Sequence, residues 1–401
     1  LGGVKSPILT EVKKSDKVTV LEDEDDWMKV ATADGYVGYI KTKFLKNQKK
    51  EKISRDFTEP VYSNMTEDHS INMAWHNVTN VAANNAVQQV LASTSGLTTI
   101  APTWFSLADT EGNISSIADA DYVNYAHTAG LEVWAVLRDF HGGINSYDET
   151  YEVLSYSSKR AKVIDQVIAA ALQSQVDGIN LDFELISSKC GVHYIQFVRE
   201  LSVKCRENNL VLSVDNYVPK PYNTQYDLKE QAAVADYVFI MAYDEHTDGS
   251  NEAGSVASIS YLENGVTDAL KLVPKEKLVA AIPFFTRLWK ETPKTEEELA
   301  AEAGTEAADY PNSVSSQALG MDEAAQAVQN AGVTAQWDDE TKQNYAKWEA
   351  DGSTCRIWLE DMQSLEEKMK VIRQNELAGV AEWSLGRENS GVWDLILQYL
   401  N

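Results

Sequence analysis

A repeated alternation of short apolar runs with longer helical stretches constrains the fold of this chain most strongly. The apolar runs have the length and composition of buried strands, and amphipathic segments such as 158–175 and 192–209 separate several of them. Eight strands that alternate with helices predict an α/β fold, a parallel sheet closed into a (β/α)8 TIM barrel. The eight runs begin at residues 71, 97, 131, 176, 210, 236, 277 and 378.

The connection between the seventh and eighth runs is longer than the others. It contains an acidic stretch, a helix candidate after Met321, and two β-prone segments around a turn at 350–353. Insertions in barrels extend the loops of the catalytic face, so we predict a small α+β insertion over about residues 290–358, beside the mouth. Beyond it, Ser364 and Glu367 have capping-box spacing and predict the start of another helix.

Residues 7–45 follow a different pattern, with the turn signals EDEDD and ADG between short alternating segments. We predict four strands, at PILTEV (7–12), KVTVLE (17–22), WMKVAT (27–32) and GYVGYIK (35–41). This pattern predicts a small all-β barrel of SH3 size. The segment NQKKEK that follows has no apolar periodicity and is typical of a solvated linker. We therefore expect an SH3-like domain at residues 1–48, a linker at 49–58 and the barrel at 59–401.

The net charge of −26 is unevenly distributed, because residues 1–57 carry 12 Lys or Arg against 10 Asp or Glu and the remainder is strongly acidic. Such a surface repels nucleic acid and anionic lipid, so we expect neither as a partner. No apolar stretch approaches the ~20 residues that a membrane span needs. The cysteines, Cys190, Cys205 and Cys355, show no pairing pattern and are interpreted as free thiols.

The segment DGINLDFE, residues 177–184, places polar side chains at every second position of an apolar run. If it is the fourth strand, Asn180, Asp182 and Glu184 all point into the barrel, with Glu184 nearest the mouth where barrel active sites form. Buried carboxylates cost several kcal/mol unless they are hydrogen-bonded or used. A structural polar plug and a metal site are the alternatives. The other strand ends supply mainly hydrogen-bonding and aromatic groups: Asp215, Asn216, Tyr243, Asp244 and Trp383.

DGINLDFE resembles the signature DxxDxDxE of glycoside hydrolase family 18, the chitinase-like family. MAYDEH (241–246), IPFFTRLW (282–289) and AGVAEWSLG (378–386) resemble segments of that family's sixth, seventh and eighth strands. The resemblance covers about residues 59–401, with the motifs in the same order. DDWMKV and DGYVGYIKTKFL resemble bacterial SH3 domains. The combination looks like bacterial enzymes that act on cell-wall or spore-cortex peptidoglycan.

The resemblance implies a role for each matching residue. Glu184 would be the general acid and base, and Asp182 would hydrogen-bond the substrate's acetamido N–H while its carbonyl attacks the anomeric carbon. Tyr243, the third catalytic residue, would hold the acetamido oxygen. Asp244 would bind sugar hydroxyls, and Trp383 would form the floor beneath the sugar. We also expect substrate contacts from Asn180, Met241, Asn216, Trp104, Arg287 and Trp289. Core packing is the alternative for the two tryptophans, and a structural ion pair is the alternative for Arg287.

The chain departs from the family's commonest motif at Asn180, where that motif has an Asp that shares a proton with the middle one. An amide cannot exchange that proton. We expect Asn180 to donate a hydrogen bond to Asp182 and hold it ionised. The enzyme would then be active with an altered pH profile, and Asn180→Asp would change that profile.

The leading interpretation is an N-acetylglucosaminidase of bacterial cell-wall or spore-cortex peptidoglycan, with the SH3-like domain holding it on the polymer. A chitinase or chitooligosaccharide hydrolase with the same chemistry is the first alternative. The second is an inactive, lectin-like barrel, although such members usually lose the terminal Glu that is present here. We expect no cofactor or metal, a monomer, and a location outside the cell, at the cell wall or the spore.

Overall fold

The structure is a computed structural model of the 401-residue chain. It describes residues 3–52, 54, 56 and 63–400. The chain forms two compact units, residues 1–61 and 62–401. The expected boundary at residues 58 and 59 lies outside the described residues.

The amino-terminal unit contains a three-stranded antiparallel sheet, whose strands β1 (Val18–Glu24), β2 (Trp27–Thr32) and β3 (Val37–Lys41) are neighbours in that order. Met28 and Val30 of the central strand are its buried apolar residues. The strand expected at residues 7–12 does not form. Its apolar side chains have no cover, since Ile8 is 85% and Leu9 61% exposed, so this prediction is wrong.

The second unit is built around eight parallel strands. They are β4 (Ile71–His76), β5 (Thr99–Pro102), β8 (Glu132–Arg138), β9 (Gly178–Asp182), β10 (Val211–Tyr217), β11 (Tyr237–Met241), β12 (Leu278–Pro283) and β18 (Gly379–Trp383). Neighbours follow the order β5–β4–β18–β12–β11–β10–β9–β8, and β8 pairs again with β5. The sheet is therefore closed, each strand falls on one of the eight apolar runs, and the predicted TIM barrel is confirmed. A hairpin of β6 (Phe105–Leu107) and β7 (Ile114–Ser116) extends one side.

Helices follow the strands along the chain. In chain order they are α1 (Val87–Leu91), α2 (Ala120–Thr128), α3 (Tyr147–Leu154), α4 (Ser157–Ser174), α5 (Gly191–Glu207), α6 (Leu228–Val234), α7 (Ile259–Ala269), α10 (Met362–Gln374) and α11 (Val392–Leu400). Within the described part of the chain, no helix is both long enough and apolar enough to cross a membrane.

The capping prediction for α10 needs correction. Asp361, and not Ser364, is the N-cap: its Oδ1 accepts from the N–H groups of Gln363 and Ser364, each at 3.0 Å. The Ser364 hydroxyl accepts a hydrogen bond from the Asp361 N–H at 2.9 Å, which completes the capping box. An Asp at the cap accepts two of the unpaired first-turn donors, so the helix begins three residues earlier than the serine alone predicts.

Alternate side chains of the barrel strands face two separate apolar layers. One layer fills the barrel interior and includes Trp75, Trp134 and Phe239. The other packs between the strands and the helices and includes Leu181 and Phe183. The three cysteines are buried and free.

The long connection forms the predicted α+β lobe, which begins somewhat before residue 290. Its antiparallel sheet has the order β14–β13–β17–β16–β15, and Asp351 and Gly352 form the predicted turn between β16 and β17 with φ values of 51° and 74°. The elements are β13 (Phe285–Pro293), α8 (Glu296–Ala301), β14 (Asn312–Gly320), α9 (Met321–Asn330), β15 (Gln336–Asp338), β16 (Gln343–Ala350) and β17 (Ser353–Leu359).

A buried ion pair connects this lobe to α10. The Lys368 Nζ lies 2.9 Å from both carboxylate oxygens of Glu360, and both side chains are almost inaccessible to solvent. Gln343 and Ser364 donate further hydrogen bonds to the same carboxylate at 2.7 and 2.9 Å. Every charge in this group therefore has a partner.

Candidate active site

Strand β9 brings the signature side chains to the inside of the barrel at its carboxyl end. Asn180 is fully buried, Asp182 is the last residue of the strand, and Glu184 lies two residues beyond it. Leu181 and Phe183 alternate with them and pack on the helix side. Glu184 is thus the member of the row that lies nearest the open end.

Hydrogen bonds hold Glu184 through both its backbone and its side chain. The buried Asp139 accepts from the N–H groups of Glu184 and Leu185 at 2.8 and 3.0 Å. The Tyr226 hydroxyl donates to the Glu184 carbonyl at 2.9 Å, and the Tyr217 hydroxyl donates to Glu184 Oε2. The carboxyl group is therefore oriented before any substrate arrives.

The surroundings of Glu184 favour its protonated form. Burial raises the pKa of Glu184, the hydrogen bond from Tyr217 lowers it, and the charge of Asp244 raises it further, with a net upward shift. Burial also raises the pKa of Asp139 to about 7, although that carboxyl accepts three hydrogen bonds. A carboxyl group that keeps its proton closer to neutral pH is suited to donate it to a leaving oxygen.

Asp182 lies between a cation and another acid. Arg138 is its partner in the register of β8, and Asp215 of β10 lies on the other side. Within the described residues, Asp182 Oδ1 is enclosed and has no hydrogen-bond partner. Burial raises the pKa of Asp182 well above its usual range, the charges of Glu184 and Asp215 add to the shift, and Arg138 opposes it.

The expected hydrogen bond from Asn180 to Asp182 is absent. Both amide hydrogens of Asn180 go to β10, to Ser213 Oγ at 2.9 Å and Asp215 Oδ1 at 2.8 Å. Its carbonyl oxygen accepts from Trp75 Nε1 at 2.9 Å. Residues i and i+2 of one strand are about 6.6 Å apart, whereas neighbouring strands are about 4.8 Å apart, so the short amide reaches across the sheet.

The ends of β11 and β18 complete the wall and the floor. Met241 and Tyr243 belong to the interior apolar layer, and Asp244 follows with a left-handed φ of 59°. This conformation is strained for most side chains but accessible to Asp, and it occurs often at functional sites. The ring of Trp383 lies 6.0 Å from that of Trp75, centroid to centroid, with the two planes tilted by 56°, and both indoles line the same cavity as the carboxylates.

These groups surround one cavity of about 250 Å³. Glu184, Asp182, Tyr243, Met241 and Trp383 all line it, and the remaining lining residues are Trp75, Asn77, Thr103, Arg138, Phe140, His141, Asp215, Tyr217 and Asp244. In the part of the chain that the structure describes, no group of three or more His, Cys, Asp or Glu is arranged to hold a metal ion. The cavity combines a carboxyl group of raised pKa with an aromatic floor.

The comparison with protein families identifies this arrangement. The family model described as "Glycosyl hydrolases family 18" matches residues 74–388, which is most of the chain, and the model "Bacterial SH3 domain" matches residues 3–46. The chain belongs to glycoside hydrolase family 18. It is therefore a family-18 glycosidase preceded by a bacterial SH3 domain.

Curated relatives of this family-18 chain include two Bacillus proteins. The uncharacterized glycosylase YvbX of Bacillus subtilis is 23% identical over 297 residues, which cover 71% of this chain and 80% of that protein. The cortical fragment-lytic enzyme of Bacillus anthracis is 22% identical over 287 residues, covering 70% of this chain and 62% of that enzyme. The match thus spans less than two thirds of the lytic enzyme.

Solved structures of other proteins share the fold. The spore cortex-lytic enzyme SleL of Bacillus cereus superposes with a TM-score of 0.71 at 18% identity, over 83% of this chain and 74% of SleL. A chitinase from Chromobacterium violaceum gives a TM-score of 0.68 at 21% identity, over 82% of this chain and 99% of that chain. At these identities the likeness concerns the family-18 fold alone.

Five of the residues that we expected to contact substrate do not line the cavity, and one of them is Asn180, whose hydrogen bonds are described above. Asn216 faces outward and exchanges hydrogen bonds with Gln231, each at 2.8 Å. Trp104 and Trp289 are buried, with indole N–H groups that donate to Asn84 Oδ1 and to the Gly254 carbonyl, each at 2.8 Å. Arg287 donates to Ser316 Oγ at 2.8 Å. Burial raises the pKa of Asp244, and the charge of Arg287 partly offsets that rise.

Three residues around the family-18 signature were missed in the sequence. Arg138 and Asp139 end the run LEVWAVLRDF, where a polar pair after an apolar strand is itself a signal for a mouth position. Tyr217 lies two residues after Asp215 on β10, so both side chains point into the barrel, whereas Asn216 between them points outward. Consistent use of the two-residue period would have found Tyr217.

Proposed function

We propose that this family-18 enzyme cleaves N-acetylglucosaminyl linkages in bacterial cell-wall or spore-cortex peptidoglycan by substrate-assisted, retaining catalysis. The observation that carries the proposal is the carboxyl group of Glu184, which has a raised pKa and lines one cavity together with the enclosed Asp182 and with Trp383. Family-18 enzymes are the substrate-assisted exception to the scheme with two enzymic carboxylates.

In this mechanism Glu184 protonates the glycosidic oxygen and later, as a carboxylate, activates water. Tyr217 donates to one Glu184 oxygen, so the other oxygen is the one that faces the leaving group. The Glu184 backbone donates a hydrogen bond to Asp139 and accepts one from Tyr226, and these two bonds keep the residue in place during both steps.

The nucleophile is the carbonyl oxygen of the substrate's own N-acetyl group. When that oxygen bonds to the anomeric carbon, the acetamido group closes an oxazolinium-like ring that carries positive charge. Asp182 accepts a hydrogen bond from the acetamido N–H and stabilises this charge. Tyr243 donates to the acetamido oxygen, Asp244 binds sugar hydroxyls, and Trp383 stacks against the sugar face. Met241 provides an apolar wall to the same subsite.

Two findings favour peptidoglycan as the substrate. Relatives by sequence and by fold carry names that refer to spore-cortex lysis, and the chain carries a bacterial SH3 domain. A tethered domain raises the local concentration of a polymer without altering the catalytic cavity. A chitinase with the same chemistry is the second candidate, because a chitinase shares the fold. The location we propose is the cell wall or the spore.

The test is mass spectrometry of products from the full chain and from Glu184→Gln. Each protein is incubated with vegetative peptidoglycan, spore-cortex peptidoglycan and chitin oligosaccharides. We expect muropeptides that end in reducing N-acetylglucosamine, and a decrease of about 100- to 10,000-fold with Glu184→Gln, because the amide removes the proton donor. The circular dichroism spectra of the two proteins should be the same.

Other outcomes decide between the alternatives. Cleavage of chitin oligosaccharides alone would identify a chitinase. Binding to peptidoglycan without products from any substrate would identify an inactive, glycan-binding barrel. Equal product yields from the wild type and Glu184→Gln would remove Glu184 from the mechanism.

The SH3 domain has its own test, cosedimentation of the full chain with purified peptidoglycan. Its exposed aromatic side chains include Tyr36 and Phe44, which are 50% and 65% exposed. We expect Tyr36→Ala with Phe44→Ala to reduce sedimentation while hydrolysis of soluble fragments stays the same. Unchanged sedimentation would place the attachment to the polymer elsewhere.

A further inference from the structure

Two acidic side chains lie next to each other on neighbouring strands of the barrel. The register of β9 and β10 pairs Asn180 with Ser213 and Leu181 with Val214, so the next position sets Asp182 beside Asp215. Parallel strands are about 4.8 Å apart, and both side chains point into the barrel. Asp215 also lines the cavity, although it is only 2% exposed.

Each of these carboxyl groups has one oxygen without a donor. Among the described residues, Asp182 Oδ1 and Asp215 Oδ2 are both enclosed and have no hydrogen-bond partner, while Asp215 Oδ1 accepts from Asn180 at 2.8 Å. Two adjacent carboxylates removed from water repel each other and cannot both ionise near neutral pH. One proton between them removes the repulsion and supplies the missing donor.

We propose that Asp215 is the positioning residue for Asp182: the pair holds one proton, which resides on Asp215 and donates a hydrogen bond to the Asp182 carboxylate. This inference rests on the proposed function, in which an ionised Asp182 accepts from the substrate's acetamido N–H. It assigns to β10 a carboxyl group that the commonest family-18 motif carries on β9, at the position of Asn180.

The charge that distinguishes the two carboxyl groups is Arg138, which borders Asp182 from β8 and favours its ionised form. Burial and the charge of Glu184 raise the pKa values of both groups. The pKa of Asp215 is raised to about 8 although the hydrogen bond from Asn180 lowers it, and in the described structure Asp215 has no cation beside it. We therefore assign the proton to Asp215. The other titratable groups that interact with this pair are Tyr243 after β11, Tyr217 at the end of β10, Tyr194 on α5 and Asp139 after β8.

Asn180 makes this arrangement possible because its amide can only donate to Asp215 Oδ1. With that oxygen occupied as an acceptor, the proton of Asp215 belongs on Oδ2, the oxygen that lacks a partner. The carbonyl oxygen of Asn180 is fixed by Trp75 Nε1, so the amide cannot rotate to exchange its roles without losing that bond.

The test compares the wild-type full chain with Asp215→Asn and with the exchanged double variant Asn180→Asp/Asp215→Asn. Difference infrared spectroscopy near neutral pH reports the C=O stretch of protonated carboxyl groups without requiring activity. We expect one such band in the wild type that is absent in Asp215→Asn and present again in the double variant. Carboxyl groups that both proteins share, such as the buried Glu382, cancel in the difference spectrum.

Kinetics on a fluorogenic chitobioside and on peptidoglycan provide the second readout. The amide introduced by Asp215→Asn still presents an N–H donor to Asp182, so we expect kcat to fall by no more than about 10-fold near neutral pH. At high pH, log(kcat/KM) of the wild type should fall with two ionisations, those of Glu184 and Asp215. Asp215→Asn should lose one of them, and the double variant should regain it.

The outcomes separate this inference from the proposed function. An unchanged infrared band in Asp215→Asn, or a pH–rate profile that retains both ionisations, would overturn the shared proton. A wild type that cleaves neither substrate would overturn the proposed function, while the infrared band would still decide where the proton lies. A purely structural role for Asp215 predicts a lower melting temperature with both readouts unchanged.

Discussion

The barrel unit contains two buried polar groups that differ in how their charges are matched. Beneath the lobe, Glu360 and Lys368 pair at 2.9 Å, and Gln343 and Ser364 saturate the remaining oxygen sites. In the cavity, neither Asp182 nor Asp215 has an ion-pair partner among the described residues, and each has an oxygen that no other residue bonds, apart from the shared proton proposed above. In the folded chain, other residues provide every charge and oxygen of the first group with a partner, and they do not do so for the second group.

The difference indicates which group the fold needs and which the chemistry needs. An enclosed acceptor without a donor costs folding free energy, so it persists only where something else selects for it. Carboxyl groups with raised pKa values in a concave site are candidates for catalysis. A fully matched ion pair is typical of a structural connection, here between the lobe and α10.

The largest change in stability should follow from breaking the matched pair. Lys368→Met leaves the buried Glu360 carboxylate without its cation, and we expect the free energy of unfolding to fall by about 3–5 kcal/mol in urea titrations. The rate of hydrolysis per folded molecule should not change, because neither residue lines the cavity. The control Glu360→Gln/Lys368→Met removes both charges and should lose less. A specific loss of kcat at full stability would contradict the structural role.

The pH dependence of stability should reflect the buried carboxyl groups at and beside the cavity whose pKa values are raised. The folded-state pKa values of Asp139 and Asp215 are raised to about 7 and about 8. Their contribution to stability is present below the unfolded value near 4 and is lost as the pH rises through 7 and 8. Thermal unfolding should therefore show a protein that is more stable near pH 5 than near pH 8, by a few kcal/mol. A flat or opposite dependence would contradict the burial of protonated carboxyl groups.

A smaller effect should come from the hydrogen bond between Tyr217 and Glu184. This bond lowers the pKa of Glu184, so Tyr217→Phe should raise that pKa and move the alkaline limb of kcat/KM to higher pH. The matched control is Tyr222→Phe, because Tyr222 is 78% exposed. A shift to lower pH, or an equal shift in the control, would show that Tyr217 does not act on the acid.

The two-residue period in DGINLDFE was sufficient to predict that a row of polar side chains points into the barrel and runs toward its mouth. Side-chain parity follows from the chain alone, so Asn180, Asp182 and Glu184 could be assigned to one face without coordinates. The same rule, applied to LVLSVDNY, assigns Asp215 and Tyr217 inward and Asn216 outward. Asn216 was expected at the site because its type was considered without its parity.

Partners across the sheet could not be predicted in the same way. The amide of Asn180 bonds to Ser213 and Asp215, which are more than thirty positions away in the chain and become neighbours only through the strand register. Trp104 and Trp289 were expected at the cleft, because a tryptophan at a strand end suits a sugar platform and a packed core equally well. Tertiary packing decides between the two environments.

The most direct measurement is the activity and the stability of one variant, Asp182→Asn. If the carboxyl group is kept for chemistry at the expense of stability, hydrolysis should fall by about 100-fold or more. The free energy of unfolding near neutral pH should then rise by about 1–2 kcal/mol, since the amide removes a buried ionisable group. Retained hydrolysis, or a loss of activity that merely follows a loss of stability, would contradict this account of the cavity.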